Sequence, residues 1–149
     1  MSEFETSVTL KCSAAALRKY LGTTANLPEI SDPELSLEII EAPEYVAIDS
    51  VIEFRISAYG FKQRMQHRYV GVSDTQIVAE QIDGPTRAWK HTQAITDNKD
   101  DTVTLTDHIV FEPPGGMLGY VMTADKIIES LEEGMEYRHE RLAEILEDA

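Results

Sequence analysis

The closing stretch, residues 123–147, sets the tightest limit on the fold. Ile127, Ile128, Leu131, Met135, Leu142, Ile145 and Leu146 recur at helical spacing and form one apolar stripe on a long helix. Thr123 offers a side-chain oxygen to its first turn, and Asp125 sets a negative charge at the positive end of the helix dipole. Gly134 interrupts the stripe, where glycine costs about 1 kcal/mol relative to alanine. A glycine in such a place points to close approach by something bulky. Upstream, most of the chain reads in period two. Many strands and a single long amphipathic helix pack in one way: an antiparallel sheet buries the helix across its concave face, an α+β fold. If the sheet curves, a cavity remains between sheet and helix.

Seven strands are legible. Residues 4–10 (FETSVTL) alternate and are rich in Phe, Val and Thr. Ser13 is suited to N-cap a helix over 14–21, and Gly22 to C-cap it. The polar stretch TTANLPEISDP has room for one helical turn near Leu27–Ile30, and residues 35–41 alternate again. Residues 47–57 and 61–71 make a hairpin around Tyr59-Gly60. Its even-numbered loop places Ile52, Phe54 and Ile56 on the face shared by Met65, His67 and Tyr69. Residues 75–82, 86–96 and 102–112 follow, joined by Asp83-Gly84-Pro85 and by DNKDD at 97–101. Residues 1–149 therefore read as one domain, of a length that supports a sizeable core.

Charge and cysteine usage exclude several functions. A formal net charge of −14 opposes binding to nucleic acid or to an anionic membrane surface. Cys12 is the only cysteine, so neither an internal disulfide nor a cysteine metal site is expected. MSEFET does not resemble a signal peptide, no apolar run approaches the roughly 20 residues that span a bilayer, and a cytoplasmic location is the default expectation.

The polar residues of interest lie on the sixth and seventh strands. Arg87, Trp89, His91 and Gln93 alternate on one, and Val103, Leu105, Asp107, Ile109 and Phe111 on the other. Polar groups among large apolar ones on an inward face are the pattern of a pocket for a mostly apolar ligand. If Lys99 centres the turn, His91 faces Asp107, Trp89 faces Ile109 and Gln93 faces Leu105, with opposed Cβ atoms ~5 Å apart. A slip of two residues keeps the face and makes the His91–Asp107 pair diagonal.

Asp107 then either satisfies His91 inside the sheet or holds it in one tautomer, with its other nitrogen free for a ligand or a proton. His91 and Asp107 are thus the candidate catalytic pair. Phe54, Met65, His67, Tyr69, Trp89 and Ile109 are candidate cavity walls. Gln81 either bonds a ligand or braces the Asp83-Gly84-Pro85 turn, and Gln93 faces the same space. Arg87, His108 and His139 are expected at the surface. In PPGGMLGYVM, Met117 and Leu118 belong either to a lid hinged at Gly115, Gly116 and Gly119, or to a plug over the sheet end. His67, His91 and Asp107 show no recognised metal spacing, DNKDD lacks the glycine and distal glutamate of a calcium loop, and no phosphate loop or nucleophile elbow is present. No metal and no cofactor are expected.

The element order, with Gln81-x-x-Gly84-Pro85-x-x-x-Trp89-x-His91, Thr106-Asp107-x-Ile109 and the Pro-Gly loop, resembles the START-like superfamily. This is the helix-grip (SRPBCC) group of polyketide cyclase/dehydratase-like and pollen-allergen-type proteins. Tyr59-Gly60 and Tyr137-Arg138 match more weakly, within a bacterial subgroup. The chain departs from that subgroup at Ala79, Thr86 and Gln93, each departure removing a polar or large group from the cavity side. The resemblance implies a curved antiparallel sheet of about seven strands around a long C-terminal helix. It also implies a domain that holds small molecules, among relatives that include carriers, receptors, cyclases and regulators. Three functions follow as expectations: binding or transport of a small, largely apolar molecule such as a lipid, polyketide-like or aromatic compound; cyclase/dehydratase chemistry with His91 and Asp107 as acid/base pair; or partner-binding regulation. Neither nucleic-acid binding nor membrane insertion is expected. A homodimer through the 113–122 loop is left open, as is whether the chain is an enzyme.

Overall fold

The computed structural model describes residues 1–147. Its strands are β1 (Ser2–Leu10), β2 (Glu38–Glu41), β3 (Val51–Ala58), β4 (Phe61–Val72), β5 (Gln76–Asp83), β6 (Ala88–Asp97) and β7 (Val103–Glu112). Its helices are α1 (Ala14–Gly22), the four-residue α2 (Leu118–Val121) and the long α3 (Ala124–Leu146), with 3-10 turns at Thr24–Ile30 and Pro33–Leu35. The strands form one curved antiparallel sheet in the order β1-β7-β6-β5-β4-β3-β2, so the first strand lies beside the last. This is the α+β helix-grip arrangement. Among the described residues, no helix is long and apolar enough to cross a membrane.

Local chemistry explains most boundaries. Ser13 Oγ accepts the Ala16 N–H at 3.0 Å, and Thr123 Oγ1 accepts the Lys126 N–H at 3.3 Å, so both capped helices start at the predicted residue. Tyr59 and Gly60 take φ of 55° and 85°, a two-residue turn that pairs Ala58 with Phe61 and Phe54 with Met65. The Tyr59 hydroxyl reaches α3, 3.2 Å from Ser130 Oγ, and ties the hairpin tip to the helix.

Four of the boundaries that differ from the sequence reading have a legible local cause. Gly22 is the last residue of α1 rather than its C-cap; a Cβ there would lie 2.5 Å from the Tyr45 ring and the Arg18 guanidinium. The glycine serves close packing. The strand expected over 35–41 begins only at Glu38, because Ser36 adopts a left-handed φ of 48° after the Pro33–Leu35 turn. The helical turn near Leu27 extends over Thr24–Ile30. The first hairpin arm starts at Val51 rather than 47, since Ala47 and Ser50 close a turn through their backbones and the Ser50 hydroxyl.

The β6–β7 register also departs from expectation, by two residues. Trp89 faces Phe111, His91 faces Ile109 and Gln93 faces Asp107. The carboxylates of Asp97 and Asp100 accept the N–H groups of Lys99 and Thr102 at 2.9 and 3.1 Å, and Lys99 and Asp101 take positive φ of 62° and 68°. These side-chain turns centre the loop on Asp100 rather than Lys99. Parity, and therefore the face, is unchanged.

Three apolar clusters fill the interior. One joins Leu10, Leu17, Ile95, Val103 and Leu105 to Leu142 and Leu146 of α3. Another joins Ile109, Phe111 and Met122 to Ile127 and Met135 of α3. The third, around Ile52, Phe54, Tyr69, Ile77 and Ala79, includes no residue of α3. The helix thus packs on the β1–β7–β6 half of the sheet. The cluster on the β3–β5 half packs instead against Leu21, Leu27 and Leu37 from the segment between β1 and β3.

Candidate functional site

Between that half and α3 lies a cavity of about 870 Å³, inside the range of roughly 300–1,000 Å³ for small-molecule sites. Phe54, Met65, His67, Tyr69, Gln81, Trp89, His91, Gln93 and Ile109 all line it, as the alternation of their strands predicted. Ile127, Leu131, Gly134, Met135 and Arg138 line it from α3, and Leu27, Ile30 and Leu37 from the segment between α1 and β2. A Cβ at Gly134 would meet nothing within 4 Å. No protein group makes the close approach expected there; the glycine opens onto empty space.

Three candidates fall outside the lining. Asp107 is fully buried, behind the cavity surface. Met117 is 86% exposed and turned outward with Tyr120, while Leu118 packs beside Phe111, Met122 and Ile127. The short α2 presses Leu118 and Met122 onto the sheet end and sends Met117 to solvent, and Met122 is the residue of this loop that reaches the cavity. The expected surface position of His139 is also corrected: it is half-buried, and its Nε2 has no partner among the described residues. His108 is partly exposed beside Glu3, and Arg87 pairs with Glu112 at 3.6 Å on the surface.

Gln81 braces its turn. Its Nε2 donates to the Thr86 carbonyl at 2.7 Å, and its Oε1 accepts from the Thr86 hydroxyl at 2.9 Å. Trp89 stacks obliquely on Phe111 with ring centroids 5.7 Å apart and forms cavity wall.

His91 and Asp107 meet diagonally, with Nε2 2.7 Å from Oδ1. The same Oδ1 lies 3.4 Å from Nη2 of Arg138, which also donates to Gln93 Oε1 at 2.5 Å. Burial works to raise the Asp107 pKa. Arg138 and then His91 outweigh it and hold the carboxyl at about 2, so Asp107 is ionised at neutral pH. An ionised carboxylate only accepts, so the proton in the short bond belongs to His91 Nε2. In the neutral imidazole, Nδ1 then carries the lone pair. Nδ1 has no partner among the described residues, and His91 lines the cavity.

Arg138 is a cavity residue that the sequence reading names only in the weak Tyr137-Arg138 match and not among the candidate site residues. The available signal is an arginine on the apolar stripe, three residues after Met135 and four before Leu142. It is only 7% exposed, and a long-range carboxylate had to exist for it. His67 stands edge-on to Phe54 at 5.0 Å. Burial, and next the charge of nearby His91, push its pKa down to about 4, so it is neutral at pH 7. Burial raises the Tyr69 pKa to about 12, so its hydroxyl remains a donor, and it has no partner among the described residues.

No family model matches the chain, and no curated protein matches it. Solved structures do. A protein from Thermus thermophilus, TTHA0849, is 13% identical with a TM-score of 0.76, over 96% of this chain and 95% of that one. A START superfamily protein from Mycobacterium smegmatis is 15% identical with a TM-score of 0.67, over 98% and 97%. The major latex-like protein 151 of Panax ginseng is 14% identical with a TM-score of 0.64, over 93% and 95%. At such identities the likeness establishes the fold: the chain has the START-like helix-grip fold.

Two outcomes follow from this geometry. The folded pKa of His67 lies below the usual 6.5, so its contribution to stability is complete above about pH 6.5 and is lost as pH falls toward about 4. Proton NMR should show the His67 ring titrating near pH 4, and His67→Gln should flatten the fall in urea midpoint between those pH values. A ring midpoint near 6.5 contradicts the burial. Separately, Arg138→Leu strands the Asp107 carboxylate and is expected to destabilise by about 3–5 kcal/mol in urea unfolding. Adding Asp107→Leu should recover most of that loss; a double variant no more stable than Arg138→Leu argues against the pair.

Proposed function

We propose that the chain binds a small, largely apolar molecule in the cavity between the sheet and α3. The observation that carries this reading is the cavity of about 870 Å³ itself, walled on the sheet side by Ile52, Phe54, Ile56, Met65 and Tyr69 and on the other by α3. An apolar surface left open toward the interior is stabilised by an apolar occupant, because each Å² removed from water contributes about 25 cal/mol. The walls supply aromatic and aliphatic surface from Phe54, Met65, Trp89, Ile109 and Leu131, and a few polar groups at one region to orient the guest. The START-like fold of the solved structures above supports the reading at the level of fold. Native mass spectrometry of purified protein should retain a small-molecule adduct, and the neutral dye Nile red should bind and brighten. Gly134→Trp projects an indole into the open space and should weaken dye binding by about tenfold or more while the helix persists by circular dichroism. Undiminished binding in that variant moves the site elsewhere, and no uptake by wild type defeats the reading.

A second reading has one specific observation in its favour: His91 lines the cavity while its Nε2 meets the ionised Asp107 carboxylate at 2.7 Å. Such a histidine removes a proton next to a carbonyl, with Asp107 as a positioning residue. An apolar ketone such as 2-tetralone tests it. Wild type should speed exchange of the α-hydrogens with D₂O by about 10²-fold or more over His91→Ala, the scale of general-base assistance. Exchange no faster than buffer leaves binding as the only role.

A further inference from the structure

The guanidinium of Arg138 is only partly used by the protein. Its Nη2 is held by Gln93 Oε1 and by Asp107 Oδ1, the latter at 3.4 Å. Its Nε is sealed in protein without a partner among the described residues. Nη1 makes no hydrogen bond among the described residues either, and it is not sealed as Nε is. Arg138 is 7% exposed and lines the cavity, so the open space beside Nη1 is that of the cavity. A guanidinium nitrogen can only donate. The wall of an otherwise apolar pocket therefore presents a buried, unpaired donor, and an acceptor atom on a guest relieves it.

Charge selects among acceptors. Ionised Asp107 matches Arg138, so the pair is neutral as a whole. Asp32, Glu34 and Glu133 also line the cavity, against one lysine, Lys62. A carboxylate head would set a second buried negative charge near Asp107 with no cation of its own. A hydroxyl head accepts, but it brings a proton that needs an acceptor in turn. A neutral carbonyl oxygen accepts and adds neither charge nor donor. The Tyr69 hydroxyl is the other cavity donor without a partner among the described residues, and it stands apart: Tyr69 pairs with Ala79 and Ala79 with His91, which puts it two strands from β6.

We propose that the apolar guest carries a neutral carbonyl head (ketone, ester or amide) whose oxygen accepts a hydrogen bond from Arg138. The proposal rests on the apolar-ligand reading and names the head group of that ligand; it needs no catalysis by His91. Displacement of Nile red ranks the heads. 2-Acetonaphthone should bind about tenfold more tightly than 2-isopropenylnaphthalene, in which a methylene replaces the oxygen, the size of one charge-assisted hydrogen bond. It should also bind more tightly than 2-naphthoate and 1-(2-naphthyl)ethanol. The infrared band of its ¹³C-labelled carbonyl should lie at lower wavenumber when bound than in hexane. Asp107→Asn with Arg138→Met removes both charges together; it should keep Nile red uptake, lose the preference for the ketone and return the band to its hexane position. Tyr69→Phe should keep both preference and band shift, and it decides the location even where the double variant does not fold. Equal binding of ketone and alkene, or an unshifted band, overturns the carbonyl head and leaves the apolar cavity standing. Tighter binding of the naphthoate or the alcohol overturns it in favour of that head. Loss of preference and shift in Tyr69→Phe, or their persistence in the double variant, overturns the assignment to Arg138. Failure of wild type to take up Nile red defeats the underlying reading, and this proposal with it.

Discussion

One buried ion pair places the helix. Asp107 lies in β7, between β1 and β6, and is fully buried, while Arg138 comes from the middle of α3 and is nearly so. Neither charge is tolerable in the interior without the other. Their meeting sets the height and rotation of α3 over β7. On one side of Arg138, Leu142 and Leu146 enter the cluster around Leu105; on the other, Ile127 and Met135 enter the cluster around Ile109 and Phe111. The break between the two clusters falls at the ionic contact. His91 and Gln93 add hydrogen bonds to the pair from β6 and link it to the cavity surface, while Asp107 Oδ2 and Arg138 Nε stay buried without a partner among the described residues.

A helix committed to the β1–β7–β6 side cannot also cover the rest of a curved sheet. The space opposite β3–β5 follows from that, and small residues keep it open. Gly134 removes a side chain from the helix wall and Ala79 shortens the sheet wall. At the hairpin tip Tyr59 closes the span with its hydroxyl on Ser130, from a backbone conformation that favours glycine. The cavity is thus bounded by packed elements, with a few polar groups set among apolar ones on its wall.

Strand parity made most of the site legible in advance. Successive side chains point to opposite faces, so Phe54, Met65, His67, Tyr69, Trp89, His91 and Gln93 share a face in every register of the same parity. The opposing residue was not legible in the same way. Moving the turn centre from Lys99 to Asp100 exchanged a direct His91–Asp107 pair for a diagonal one, and the deciding forces were two aspartate-to-backbone bonds inside the loop. Met117 and Leu118 failed for a related reason. A loop has no period, and nothing in PPGGMLGYVM distinguishes the apolar residues that pack inward from those α2 turns to solvent.

The sequence by itself determined the class of fold, the long amphipathic helix, the inward face of each central strand and the presence of polar groups among apolar ones. These are consequences of short-range periodicity, and each residue carries them with its immediate neighbours. Tertiary structure decided which buried charge meets Arg138, that Gly134 faces empty space rather than a packed side chain, and that Tyr69, Ala79 and His91 form one row. Those facts join residues on separate elements, from ten positions apart in chain order, from Tyr69 to Ala79, to 31, from Asp107 to Arg138. No local pattern encodes them, because they depend on strand register and on where the helix comes to rest.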